Sequence, residues 1–168
     1  MKSFIIAAIA TNGVIGDGPN LPWGNMSGDE AHLFKTIEDC VLLTGRKSLQ
    51  SEQALRLFKD RQDQTIVLTH QEEFGAFLIA QDVTKAFELA KTLSGRALAV
   101  LGGATVYEQT LHLVEELIIT EIHSIFKGDA YFPEIKAEHW HEIERKKYPA
   151  DANNSYDYSL VRYLKRAF

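Results

Sequence analysis

The chain has 168 residues, 45% of them hydrophobic and 24% charged, with a formal net charge of −5; this is the balance of one soluble globular domain, residues 1–168, with room for a sizeable core. The acidic balance and the lack of a basic run argue against nucleic acid or an anionic membrane surface as the main partner, and no segment is long enough to span a membrane. One cysteine, Cys40, cannot form an intramolecular disulfide and fits a reducing cytoplasm, and the six histidines show no metal-ligand spacing, so no metal is expected.

Residues 3–10 are a continuous apolar run, the pattern of a strand buried on both faces. A signal peptide reading of this start is set aside, because the run is at the short limit and the following loop depends on it as a strand. That loop carries Gly13, Gly16, Gly18, Pro19 and Pro22, and is expected neither to pair as a strand nor to wind as a helix. It ends in Leu21-Pro22-Trp23. A helix then opens at Ser27 and runs to about Glu38. Spacing places Glu30, Phe34 and Ile37 on one face, so a carboxylate heads an apolar stripe. Two readings stand: Glu30 is a ligand-binding acid, or it closes a capping box with Ser27. Asp29, one residue off and on the flank with Leu33, is the rival for either role.

Residues 40–44 form a second buried strand, followed at once by Gly45-Arg46-Lys47-Ser48. A strand, a glycine and a helix start with two cations and a hydroxyl make an anion site, since free amides point at the ligand and Arg grips phosphate bidentately. Residues 50–64 are a fraying helix and a loop ending near Arg61. Strands follow at 65–69 and 77–79. A helix opens at Asp82-Val83-Thr84, with Asp82 or Thr84 as its cap. The strand 97–101 runs into Gly102-Gly103-Ala104-Thr105-Val106-Tyr107, where two glycines let phosphates approach the backbone. A strand at 116–123, a turn at 127–129 and an alternating pair at 140–148 and 156–165 close the chain as an antiparallel hairpin. Strand and helix alternate throughout, which is an α/β domain with a mostly parallel sheet.

At this point the residues resemble a known family. Ile6-Ala7-Ala8, Gly13-Val14-Ile15-Gly16, Leu21-Pro22-Trp23, Glu30-x-x-x-Phe34-Lys35, Gly45-Arg46-Lys47-Ser48, Gly102-Gly103-x-x-x-Tyr107, Gly128-Asp129-x-x-Phe132-Pro133 and Asn154-Ser155 with Tyr158 occur in the order seen in dihydrofolate reductases. The resemblance spans nearly the whole chain. It implies a central eight-stranded, mostly parallel sheet with an antiparallel C-terminal strand, flanked by about four helices. It also implies reduction of 7,8-dihydrofolate to tetrahydrofolate with NADPH in one-carbon metabolism, by an enzyme that antifolates target; a monomer is expected because no long apolar surface stripe is left over.

The resemblance carries roles onto named positions. It makes Glu30 the acid that holds the pterin, with Leu21 and Trp23 in the loop that covers the reaction. Ile6, Ala7, Phe34, Arg61, Leu101, Tyr107 and Thr120 join Glu30 around the substrate, with Arg56 the alternative to Arg61 for the substrate's glutamate. Ala8 and Ile15 lie by the nicotinamide, Arg46 and Lys47 meet the 2′-phosphate and pyrophosphate with Ser48 on the phosphates, and Gly102, Gly103, Ala104, Thr105 and Val106 cradle the pyrophosphate and nicotinamide end. Gly16, Gly45, Thr69, His70, Leu101 and Tyr107 complete the cofactor-binding set. Glu52 stands where the family commonly has an apolar wall residue, and Ala104 and Ala130 replace commoner Gly and Thr. Two other readings are a pyrimidinone reductase of riboflavin synthesis on the same fold and a non-catalytic NADPH- or folate-binding protein.

Overall fold

The computed structural model describes residues 1–167. In chain order the elements are β1 (Lys2–Ala10), β2 (Val14–Gly16), α1 (Ser27–Thr36), β3 (Val41–Gly45), α2 (Glu52–Phe58), β4 (Thr65–Leu68) and β5 (Leu78–Ala80). They continue with α3 (Val83–Lys91), β6 (Ala97–Val100), α4 (Ala104–Thr110), β7 (Glu116–Ile122), β8 (Ala130–Tyr131), β9 (Trp140–Tyr148) and β10 (Tyr158–Lys165). Short 3-10 turns occupy Arg46–Gln50 and Gln62–Gln64.

An eight-stranded sheet runs in the order β5-β4-β3-β6-β1-β7-β10-β9. The strands from β5 to β7 are parallel, and β10 is antiparallel to both its neighbours. The central strands read as unbroken apolar runs because both faces are covered. Ile5 packs into one core with Ala86 and Ala90 of α3 and Val106 of α4, while Phe4 and Ile6 pack into another with Ile37, Leu49 and Phe58. Each fully buried Leu or Ile, such as Leu42, Leu43 or Ile66, contributes about 1.5–3 kcal/mol. Local caps agree with these starts: Asp82 accepts from Lys85 N at 2.8 Å for α3, and Ser51 from Ala54 N at 3.1 Å for α2.

The loop after β1 departs from expectation. Val14–Gly16 does pair, as β2, with β8 in a separate antiparallel ribbon. The pairing is supplied from more than 110 residues away, so no local pattern announces it. Glycine makes it possible: a Cβ on Gly128 would lie 2.4 Å from the Gly16 carbonyl oxygen and from Val14 Cγ1. Among the described residues, no helix is long and apolar enough to cross a membrane. The carboxyl ends of β3, β4 and β6 open together with residues 6–8 in the middle of β1 into a crevice, where open α/β sheets bind ligands.

Candidate active site

That crevice is a cleft of about 1280 Å³. One wall is made by turns that leave strand ends. After β3 it is Gly45, Arg46, Lys47 and Ser48; after β4, Thr69 and His70; after β6, Leu101 and Gly103 followed by Ala104, Thr105, Val106 and Tyr107 of α4. The first and third turns lock together. Gly45 N donates to Gly102 O at 2.8 Å, Thr44 Oγ1 donates to the same oxygen at 3.1 Å, and a Cβ on Gly45 would lie 3.1 Å from Val106 Cγ2. Gly102 has φ +98° and lies beneath the turn, off the cleft surface; a Cβ there would strike the Tyr107 ring at 2.9 Å. The Gly102–Gly103 peptide is cis. Tyr107 is fixed in turn, its hydroxyl donating to Ile6 O at 2.8 Å and its ring 5.0 Å from that of Phe132. Burial pushes its hydroxyl pKa up, so it stays a donor.

Neither Gly45 nor Gly103, at the starts of the Arg46–Gln50 turn and of α4, carries a side-chain cap. Their first amides have no side-chain acceptor from the cap position. With Arg46, Lys47 and Ser48 beside them, the donor set suits a phosphorylated dinucleotide.

The floor and far wall come from β1, the loop after it, α1 and α2. Ile6, Ala7 and Ala8 lie at the floor, and Ile15, Gly16 and Leu21 at the loop side. The loop is held over the cleft: Gly18 N donates to Asp129 Oδ1 at 3.0 Å, Asp129 N to Gly16 O at 3.1 Å and Asn12 Nδ2 to Phe126 O at 2.8 Å. From α1 come Asp29, Glu30, Leu33 and Phe34.

The acid differs from the expectation for Glu30. Glu30 is exposed at the rim, and Phe34 is 48% exposed. The inner stripe of α1 is shifted by one residue, to Asp29, Leu33 and Ile37, with Leu33 and Ile37 packed in the core. Ile37 lies within reach of both stripes at helical spacing, so apolar residues alone fit either phase. Asp29 Oδ1 accepts from Thr120 Oγ1 at 2.6 Å, and Thr120 is buried on β7 opposite Ala8. Desolvation pushes the Asp29 carboxyl above the usual carboxylate range, while the bond from Thr120 and the nearby His32 pull it back. The capping box is also absent: Ser27 Oγ donates to Asn25 Oδ1 at 3.1 Å.

Three further side chains singled out from the sequence lie off the cleft surface. Trp23 does not reach the cleft; it is 3% exposed and packs edge-on to Phe126 at 5.8 Å, anchoring the loop in a separate core with Val14, Met26 and Tyr158. Arg61 does not line the cleft either: its guanidinium donates to Ile37 O at 2.9 Å and Cys40 O at 2.6 Å, tying the end of α1 to the segment before β4. Its alternative Arg56 is exposed on α2 and also off the cleft. Glu52 points away from the wall, which α2 builds instead from Ala54, Leu57 and Phe58. Sequence reading missed these three because residues 50–64 carry weak periodicity; the spacing 54, 57, 58 is the helical signal that was there.

The protein-family model described as dihydrofolate reductase matches residues 3–165. The chain belongs to the dihydrofolate reductase family. It is 32% identical to the dihydrofolate reductase of Staphylococcus haemolyticus over 160 residues, covering 94% of this chain and 92% of that one. It is also 32% identical to that of Neisseria gonorrhoeae over 166 residues, 98% of each chain, and 33% identical to dihydrofolate reductase type 15 of Escherichia coli over 157 residues, covering 93% of this chain and 96% of that one. In fold it matches the dihydrofolate reductase from Enterococcus faecalis, solved with NADP(H) and RAB-propyl, with a TM-score of 0.81 over 99% of this chain and 97% of that one at 24% identity.

Proposed function

We propose that the chain reduces 7,8-dihydrofolate to 5,6,7,8-tetrahydrofolate with NADPH, and that Asp29 is the acid that holds the pterin. The observation that carries this is a single desolvated carboxyl, Asp29 on Thr120, facing a cleft whose opposite wall is built from uncapped turns and two cations. NADPH bound on that wall would supply the hydride, with Arg46 and Lys47 placed to hold its added phosphate by charge and Ser48 and the amides of the Gly103–Val106 turn placed to hold its pyrophosphate.

The rest is done by this chain. The Asp29 carboxylate accepts hydrogen bonds from the pterin 2-amino group and N3, which sets the ring's orientation. The reaction adds hydride to C6 and a proton to N5 of one C=N bond. A carboxyl raised toward the working pH favours protonation at N5, through the ring tautomer or a water rather than by contact. Leu33, Phe34, Ala54, Leu57 and Phe58 offer apolar surface to the benzoyl ring. Leu21 on the docked loop excludes water from the nicotinamide side. Arg61, with two of its five donors committed, has others to offer a glutamate carboxylate that reaches past the α2 wall. The chain works as one domain and a monomer in a cytoplasm whose reducing conditions suit the buried thiol of Cys40.

The test is loss of NADPH absorbance when dihydrofolate is added to the purified protein. Rapid oxidation of NADPH, with NADH much poorer, is expected. Tight NADPH binding with dihydrofolate untouched overturns the reading and makes a pyrimidinone the next substrate to try.

A further inference from the structure

Helix α1 begins without a cap of its own. Its N-cap residue, Met26, makes no side-chain cap bond, and its side chain is buried with Trp23 and Tyr158. Ser27 is turned to Asn25. An uncapped first turn is a poor place to hold a catalytic carboxyl, because orphan amides favour fraying. The loop between β9 and β10 supplies what the helix lacks. Asn154 Oδ1 accepts from Gly28 N at 2.8 Å, the amide that a helix's own cap would take.

The capping carboxamide is itself held. Asn154 is buried, its Nδ2 donates to Asp151 Oδ1 at 2.9 Å, and that carboxyl also accepts from Asn153 N at 2.8 Å. Those bonds keep Asp151 below the usual carboxylate range. Backbone bonds run alongside, from Ser27 N to Asn153 O at 3.1 Å and from Ser155 N to Asn25 O at 3.2 Å. Gly28 leaves the space: a Cβ there would lie 2.2 Å from Tyr158 Oη and 3.0 Å from Asn154 Oδ1. The next residue is Asp29.

We infer that Asn154, braced by Asp151, is a positioning residue for Asp29. It fixes the first turn of α1 from outside the helix, while Thr120 fixes the carboxyl at its other end. The inference rests on the proposed reductase reading and goes beyond it, since no ligand touches Asn154 in that reading.

The test uses the full chain in four forms: wild type, N154A, N154D and the double variant D151N/N154D. Each is assayed for dihydrofolate turnover, NADPH dissociation constant and hydrogen exchange at the Gly28 amide. N154A removes the acceptor; kcat/KM for dihydrofolate falls roughly five- to tenfold, the Gly28 amide exchanges faster by a similar factor, and NADPH binding stays within about twofold. N154D sets two carboxylates against each other and falls further. In D151N/N154D the donor and acceptor are exchanged: the carboxylate at 154 accepts from Gly28 and from the carboxamide at 151. Turnover and amide protection return to within about twofold of wild type.

Unchanged turnover in N154A, a folded D151N/N154D with no recovery, or NADPH affinity falling in parallel with turnover each overturns the inference alone. A wild type that does not reduce dihydrofolate overturns the reductase reading and takes the inference with it.

Discussion

The two walls of the cleft are built in different ways. The groups on the wall proposed for the cofactor follow strands' carboxyl ends: Gly45 to Ser48 after β3, Thr69 and His70 after β4, Leu101 to Tyr107 after β6. The acid side is one carboxyl whose place depends on partners far along the chain. Thr120 is 91 residues from Asp29, and Asn154 is 126 residues from Gly28. A phosphate site can be assembled from local strand–turn geometry, because amides and charge are all it needs. A half-buried acid cannot, because its position and its protonation are set by what surrounds it.

This contrast is open to attack, most forcefully at Asp29. In Asp29→Asn the Thr120 bond survives and the charge is lost; kcat/KM for dihydrofolate at neutral pH falls about a hundredfold or more, while NADPH binding holds. The same variant gains stability. Burial raises the folded carboxyl pKa above its unfolded value, so folding takes up a proton between the two and the native state is favoured fully only below the unfolded value. As pH rises through the folded pKa that stability is lost. Melting curves across pH should show Asp29→Asn above wild type at neutral pH and level with it in acid.

A smaller effect is expected on the other wall. Arg46→Ala should raise the Kd for NADPH about tenfold and move that for NADH less than about twofold, read by fluorescence titration. Equal losses for both cofactors would remove Arg46 from the added phosphate. Smaller again is Thr120→Val, with kcat/KM lower by about fivefold. Because the Thr120 bond pulls the Asp29 carboxyl down, its loss should move the acid limb of the pH profile to higher pH. A profile that only drops, without shifting, would make Thr120 a packing residue.

The same contrast explains what could be read in advance. The sheet, its antiparallel end and the glycine turns after β3 and β6 are legible because apolar runs and glycines encode them locally. Three features were not. The phase of α1 went astray because Phe34, large and apolar, looks inward in sequence yet stands half-exposed at the rim, while the less conspicuous Leu33 faces the core. The β2–β8 ribbon joins segments that only the fold brings together. The places of Trp23 and Arg61 were not legible either, because their roles come from the family resemblance and no local pattern says what their side chains touch. The structure spends one on anchoring the loop against Phe126 and commits two donors of the other to the carbonyls of Ile37 and Cys40.

The most direct test of the central claim sets Asp29→Asn beside Glu30→Gln in NADPH oxidation with dihydrofolate at neutral pH. The account predicts collapse in the first and turnover within about twofold of wild type in the second. Collapse in Glu30→Gln with Asp29→Asn still active would contradict it and put the rim carboxylate, not the one on Thr120, against the pterin.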